Sequence, residues 1–319
     1  MRIAHIALAK RSEGHPGGVP LFGHYLARCL GAQEFSWQDA PPHVQAGTGG
    51  QENAAMRLGN FLSGTGVLDG YDAIVVDGFW GRGIPLSARR PMFSVAHNTW
   101  RSIGRALSSP GAMLLGETQA QEYTRVPTVA VSDQTARDLR DLYGVTAAAT
   151  IRNGVDTEEF RPAGGAHLYP EPLILYPSEH YPKGGDIVQA LRRQMPDVRF
   201  DLMGGGIGEE ATALQRGDVF LSPSRTEGCS YARLQALACG LPVVASETGI
   251  FADGPAPDGV RVGTTVGEIA SLDAWESALR ETIAERESLG RAARAWAETN
   301  ASLEVWADQW LQLALAYLP

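Results

Sequence analysis

Residues 223–249 constrain this chain more than any other stretch, because strand, loop, helix and strand follow one another there without slack. Val219, Phe220 and Leu221 form a buried strand just before it, and the loop that follows carries one carboxylate, Glu227. Helical periodicity runs through Tyr231, Leu234, Leu237 and Ala238. Cys239 and Gly240 end it, glycine being the residue that accepts the left-handed turn at a helix C-terminus. Pro242, Val243, Val244 and Ala245 are too few and too β-branched for another helix and read as a second strand. This order puts Glu227 and the amides of Gly228, Cys229 and Ser230 at a helix N-terminus, beside the C-terminal end of a parallel strand. α/β proteins bind anionic ligands there.

The rest of the chain alternates in the same way. Residues 2–8 read as a strand, followed by a loop with Gly14, Gly17 and Gly18 and an amphipathic helix over 20–30. Further strands are expected at 73–76, 93–96, 128–131 and 148–151. Between the last two lies a helix opened by Ser132 or Asp133 and closed at Gly144. Residues 35–66 are Gly-rich, with one helix expected near 53–62. Residues 156–172 hold three prolines and two adjacent glycines with no sustained period, and read as a linker between domains at 1–160 and 161–300. From 173 the alternation restarts: strand 173–176, a loop with Lys183 and Gly184, a helix to about Arg193, strand 199–203, a turn at 204–206, and a last strand at 260–262. Residues 270–300 read as two amphipathic helices. Residues 303–318 read as a terminal helix whose apolar side carries Trp306, Trp310, Leu313 and Tyr317. Alternation of this kind implies parallel sheets with helices on both faces.

A chain of 319 residues is long enough for two ordinary domains, and 44% hydrophobic with 20% charged residues is the composition of a globular protein. A net charge of −9 argues against a nucleic-acid binder, and leaves contact with a membrane surface only to a local basic patch. No apolar run approaches the length of a membrane span, and the first residues read as a strand rather than a secretion signal. Cys29, Cys229 and Cys239 are odd in number and lack metal-like spacing, which fits reduced thiols in a cytoplasmic protein. Cys229, at a helix N-terminus, is the one expected to be reactive.

Two motifs carry a family resemblance. Glu227-Gly228, then Ala236-Leu237-Ala238-Cys239-Gly240-Leu241-Pro242-Val243-Val244-Ala245, resembles the signature of the retaining nucleotide-sugar glycosyltransferases of GT-B architecture, the group 1 or glycogen-synthase-like family. Asn153-Gly154-Val155-Asp156, with Phe160 and Pro162, is similar to that family's hinge. The resemblance implies an α/β fold of two Rossmann-like parallel-sheet domains with an interdomain cleft. It also implies a C-terminal helix, residues 301–319, that crosses back onto the N-terminal domain. The implied activity is transfer of a hexose-type sugar from a nucleotide-sugar to a hydroxyl acceptor, with retention, without metal and with no cofactor beyond the donor substrate.

Each site residue has a plainer reading beside this one. Glu227 could simply cap a helix dipole; the resemblance has it bind hydroxyls of the donor sugar, with the Gly228, Cys229 and Ser230 amides facing sugar and phosphates. Gln235 could be a helix-face residue; it stands where the family has a Glu that accepts from the ribose, and a Gln keeps one acceptor and adds a donor. Lys183 would ordinarily be a surface lysine, but matches the family's Lys-Gly at the donor diphosphate. Ser178 occupies the place of the family's usual Arg, and for Arg225 and Arg233 a solvated surface role competes with compensating for that loss. Gly17 and Gly18 explain themselves as a tight turn, or as a loop whose backbone approaches the donor. His97 would ordinarily be structural; the family places a histidine at this strand end near the reacting sugar, with Trp100 and Arg101 expected on the acceptor side. Asp-x-Asp, the metal-binding pair of the other major glycosyltransferase fold, does not occur, and the histidines show no paired helical spacing.

The expectation is therefore a glycosyltransferase with His97, Glu227 and Lys183 at its centre. Two rivals remain: a nucleotide-sugar epimerase, and a catalytically weakened nucleotide-sugar-binding or scaffolding subunit, which Gln235 and Ser178 motivate. Base, sugar, acceptor and oligomeric state have no code in the sequence.

Overall fold

Each half of the chain builds one parallel sheet, and the two sheets share a strand order. The computed structural model describes residues 1–319 except 16, 48, 164–170, 205–206, 255, 260, 268–270 and 319. The first half contributes β1 (Ile3–Ala7), β2 (Gln33–Ser36), β3 (Ala73–Asp77), β4 (Met92–Ala96), β5 (Thr128–Ala130) and β6 (Ala149–Thr150). Its helices are α1 (Gly18–Leu30), α2 (Pro42–Gln45), α3 (Gln51–Gly64), α4 (Trp100–Ala106), α5 (Pro110–Arg125) and α6 (Asp133–Tyr143). The second half contributes β7 (Leu173–Tyr176), β8 (Arg199–Leu202), β9 (Val219–Ser222), β10 (Val243–Ser246) and β11 (Gly263–Val266). With them come α7 (Gly185–Gln194), α8 (Glu210–Leu214), α9 (Tyr231–Ala238), α10 (Leu272–Ala284), α11 (Arg286–Asn300) and α12 (Leu303–Tyr317).

The orders are β2-β1-β3-β4-β5-β6 and β11-β10-β9-β7-β8, with parallel pairing throughout. Numbered from its own first strand, the second sheet repeats the 2-1-3-4-5 order of the first. In such a doubly wound sheet the crossovers diverge between the first and third strands, which opens a crevice at their C-terminal ends. That crevice lies at β1/β3 in one half and at β7/β9 in the other. Strands β1, β3, β4, β7, β9 and β10 are buried along their whole length, as parallel strands covered on both faces must be. His5, Asp77 and Ser94 are polar interruptions among them in the first sheet, and Ser222 and Ser246 in the second.

The chain divides into two units, residues 1–152 with 306–319, and residues 153–305. In the first unit Trp306 and Trp310 of α12 meet the Phe22 ring of α1 edge-on at 5.5 and 5.7 Å. Tyr317, expected on the same buried side, is 42% exposed, and Ala314 is the buried residue of the last turn. The second unit starts at 153 because the hinge residues are packed into it. Val155 bridges to Ser302, Phe160 is buried, and Arg294 donates to the carbonyls of Thr157 and Phe160 at 2.9 and 2.7 Å. Residues 164–170 of the expected linker, and 205–206 of the expected glycine turn, lie outside the described residues.

The last strand is corrected from 260–262 to Gly263–Val266. Glycine is required at 263, since a Cβ there would sit 1.9 Å from the Val243 carbonyl oxygen. Among the described residues no helix is long and apolar enough to cross a membrane.

Candidate functional site

In the second unit the loops after β7 and β9 converge. Gly184 has φ +76°, and a Cβ on it would meet the Pro223 carbonyl oxygen at 2.2 Å; one on Gly185 would meet the Glu179 carbonyl oxygen at 1.9 Å. Only glycines let the turn after Tyr181–Lys183 press this closely against the end of β9. The result is that Lys183 Nζ donates to Glu227 Oε1 at 2.6 Å. Glu227 is nearly enclosed, at 9% side-chain exposure, whereas Lys183 is 41% exposed. Burial alone would push the Glu227 carboxyl up, but the charges of Lys183 and Arg233 and the Ser224 hydroxyl hold it below its ordinary range. It is therefore an anion in the folded chain.

Behind this pair the structure corrects the reading of Arg233 as a surface residue. Arg233 is completely buried. Its guanidinium donates to Ser222 Oγ at 2.9 Å, to the Thr248 carbonyl at 2.6 Å, to the Ser222 carbonyl at 3.1 Å and to Thr248 Oγ1 at 3.0 Å. It thereby ties the end of β9 to the loop after β10. Gly249 (φ +64°) completes the packing, since a Cβ there would meet the Gly228 carbonyl oxygen at 2.5 Å. Arg225 is committed elsewhere, to Asp186 at 2.9 Å and over the Tyr181 ring at 3.7 Å.

Gly228, Cys229 and Ser230 lead into α9, with Ser230 as its N-cap. Asn153 Nδ2 donates to the Cys229 carbonyl at 2.7 Å, so the hinge residue positions this loop. Cys229 and Gln235 are buried, at 5% and 4% exposure. Ser178 stands just past β7, where its Oγ accepts from the His180 amide at 3.1 Å. Burial pushes the Cys239 thiol up to about 12, so it is not a nucleophile near neutrality.

In the first unit a cavity of about 460 Å³ opens at the C-terminal ends of β1, β3 and β4. Its walls include Gly17, Asp77, Phe79, Trp80, His97 and Trp100. His97 follows β4, and its Nε2 lies 2.8 Å from Asp77 Oδ1, the carboxylate that ends β3. On its other side Asp77 Oδ2 lies 3.2 Å from Nε2 of His5, a wholly buried residue of β1. Burial opposes ionisation of Asp77, yet His5 and His97 hold it down to about 2. Burial likewise opposes a charge on His5, yet Asp77 and Glu34 raise it to about 9.

Gly17 is the N-cap of α1 with φ −65°, and a Cβ on it would meet only the Pro20 ring, at an ordinary 3.6 Å. No steric demand within the unit requires glycine there. Gly18 is the first residue of α1, and Pro16 lies outside the described residues. Trp100 reaches the cavity; Arg101, expected beside it, does not. Its guanidinium holds Glu117 at 2.8 Å and lies 4.7 Å over the Tyr143 ring, because α4 turns that side chain toward α5 and α6. Reasoning from sequence passed over Asp77, His5, Phe79 and Trp80. A polar residue in the run of β1 and a carboxylate ending the run of β3 were the available signals.

Four likenesses bear on this arrangement. Residues 184–284 match the family model of the group 1 glycosyl transferases. Over those residues the chain is similar to that family, and its architecture is the GT-B fold. A GDP-mannose-dependent alpha-(1-6)-phosphatidylinositol monomannoside mannosyltransferase of Mycolicibacterium smegmatis is 29% identical over 222 residues, covering 53% of this chain and 57% of the relative. The match thus spans little more than half of that relative. Sucrose-phosphate synthase of Thermosynechococcus elongatus superposes with a TM-score of 0.80 at 19% identity, over 99% of this chain and 98% of the other. HepE of Anabaena, solved with UDP-glucose, gives a TM-score of 0.70 at 16% identity over 99% and 100%. These two structures share the fold of this chain.

Proposed function

We propose that the chain transfers a sugar from a nucleotide-sugar donor, held by the second unit, to a hydroxyl of an acceptor held by the first. The observation that carries this reading is the Lys183–Glu227 pair at the β7/β9 crevice, beside the N-terminus of α9. An exposed ammonium suits a diphosphate, an enclosed carboxylate suits sugar hydroxyls, and a helix N-terminus suits developing negative charge. The mannosyltransferase relative is GDP-mannose-dependent and HepE is solved with UDP-glucose, which supports a nucleotide-sugar of one of these kinds.

On this reading Gly228, Cys229 and Ser230 face the donor phosphates and Gln235 the ribose. The cavity with Phe79, Trp80 and Trp100 takes the acceptor, and Gly17 admits a substrate close to its backbone. Lys183 stabilises the departing diphosphate, so transfer proceeds without metal, and it proceeds with retention as the family resemblance implies. Reduced thiols fit work in the cytoplasm.

One observation favours a second reading, a nucleotide-sugar-binding subunit of weak activity: Gln235 is buried and neutral where a carboxylate is expected. Calorimetric titration with UDP-, GDP- and ADP-sugars, paired with a turnover assay over a panel of hydroxyl acceptors, separates the two. Binding with turnover supports transfer; binding without turnover on every acceptor supports the second reading.

A further inference from the structure

Four neighbouring strands of the first sheet each bring one titratable group to a single buried row. Glu34 lies on β2, directly across from His5 on β1. Asp77 ends β3, and His97 follows β4. The spacings along the row are 3.8 Å from Glu34 Oε1 to His5 Nδ1, 3.2 Å from His5 Nε2 to Asp77 Oδ2, and 2.8 Å from Asp77 Oδ1 to His97 Nε2. Only the His97 end meets the cavity with a ring that is not fully enclosed.

Helix α1 seals the row. Phe22 lies edge-on to His97 at 4.8 Å and tilted to His5 at 5.7 Å. Gly23 makes the approach feasible, since a Cβ on it would sit 2.4 Å from Glu34 Oε1 and 2.6 Å from the His5 ring. Of the other titratable groups beside the row, His24 of α1 interacts with Glu34 and is itself flanked by Arg11 and Arg28, and Tyr123 of α5 interacts with Asp77. The α12 residues beside Phe22, Trp306 and Trp310, are uncharged.

Each oxygen of the Asp77 carboxylate has its own imidazole, Oδ1 facing His97 and Oδ2 facing His5. We propose that His5 and Asp77 are positioning residues that hold His97 in one tautomer, proton on Nε2 toward Asp77, so that Nδ1 offers a fixed lone pair to a substrate hydroxyl in the cavity. The inference rests on the transferase reading for the identity of that hydroxyl, but not for the proton arrangement. A second-neighbour group of this kind sets the tautomer and orientation of a working imidazole.

Two measurements test it. Nitrogen-15 NMR of histidine-labelled wild-type chain at about pH 7.5 reads the proton positions directly. The expected result is His5 protonated on both nitrogens and His97 neutral with its proton on Nε2; a neutral His5, or His97 protonated on Nδ1, overturns the proposal. The second is the kinetics of sugar transfer together with the tautomer in the variant. In Asp77→Asn kcat falls about 100-fold or more with the donor KM little changed, and the His97 spectrum changes to a mixture of tautomers. An unchanged kcat or an unchanged His97 tautomer in the folded variant overturns the proposal, and if Asp77→Asn does not fold, the wild-type spectrum decides alone. A wild-type chain that transfers no sugar defeats the transferase reading, while the spectrum still decides the proton arrangement.

Discussion

Lys183 Nζ and Glu227 Oε1 are 2.6 Å apart although 44 residues separate them, and two glycines make the meeting feasible. The lysine is 41% exposed, so water screens the pair, and a pair of this kind adds at most about 1 kcal/mol to stability. Lys183→Ala is therefore expected to shift the unfolding midpoint little, while weakening binding of a nucleoside diphosphate about tenfold or more. Paired thermal unfolding and calorimetry check this; a large stability loss with unchanged affinity would assign Lys183 to structure.

The two glycines at the head of that loop are expected to behave unlike Gly17. Gly184→Ala forces a Cβ against Pro223 at a positive φ and should destabilise by roughly 1–3 kcal/mol. Gly17→Ala meets no obstacle within its unit and should leave stability within about 0.5 kcal/mol. It should still lower kcat/KM about tenfold if a substrate approaches that backbone. Equal activity in Gly17→Ala and wild type would return Gly17 to the status of a plain turn.

Arg233 is predicted to be a stability residue. Arg233→Met removes the donors shared by Ser222 and Thr248 in a buried setting and should cost about 3 kcal/mol or more. Denaturant unfolding should show a lower midpoint with an unchanged slope. A midpoint equal to wild type would contradict the role assigned to its hydrogen bonds.

The buried row of the first unit gives stability a pH dependence with a definite sign. His5 is raised from 6.5 to about 9, so its contribution is complete below 6.5 and is lost as pH rises through about 9. Asp77 is lowered from 3.8 to about 2, so its contribution is complete above 3.8 and is lost as pH falls through about 2. The row thus stabilises most between about pH 4 and 6.5, by a few kcal/mol relative to the extremes. Hydrogen exchange of β1 and β3 across this range should follow that course in wild type and flatten in Asp77→Asn.

How far the sequence reveals this molecule depends on whether apolar pattern and structure coincide. Strand β7 and the caps of α6, Ser132 and Gly144, were legible because burial and capping chemistry are local. Strand β2 was not, since only Ser36 of Gln33–Ser36 is buried and no hydrophobic alternation marks it. Helix α5 hides its period because Gln119 and Glu122 are on its buried side. Glu227 and Lys183 were legible as a motif, but their contact depends on the glycine turn closing on Pro223. Arg233 was misread because a guanidinium satisfied by Ser222 and Thr248 is a tertiary event that helix position alone does not announce.

The most direct test of the account is sugar transfer by the wild-type chain and by Glu227→Ala, from UDP-, GDP- and ADP-sugars with chelator present. The account predicts transfer from one donor class by wild type and a loss of about 100-fold or more in kcat/KM for Glu227→Ala with the fold intact. Undiminished transfer by a folded Glu227→Ala would contradict it.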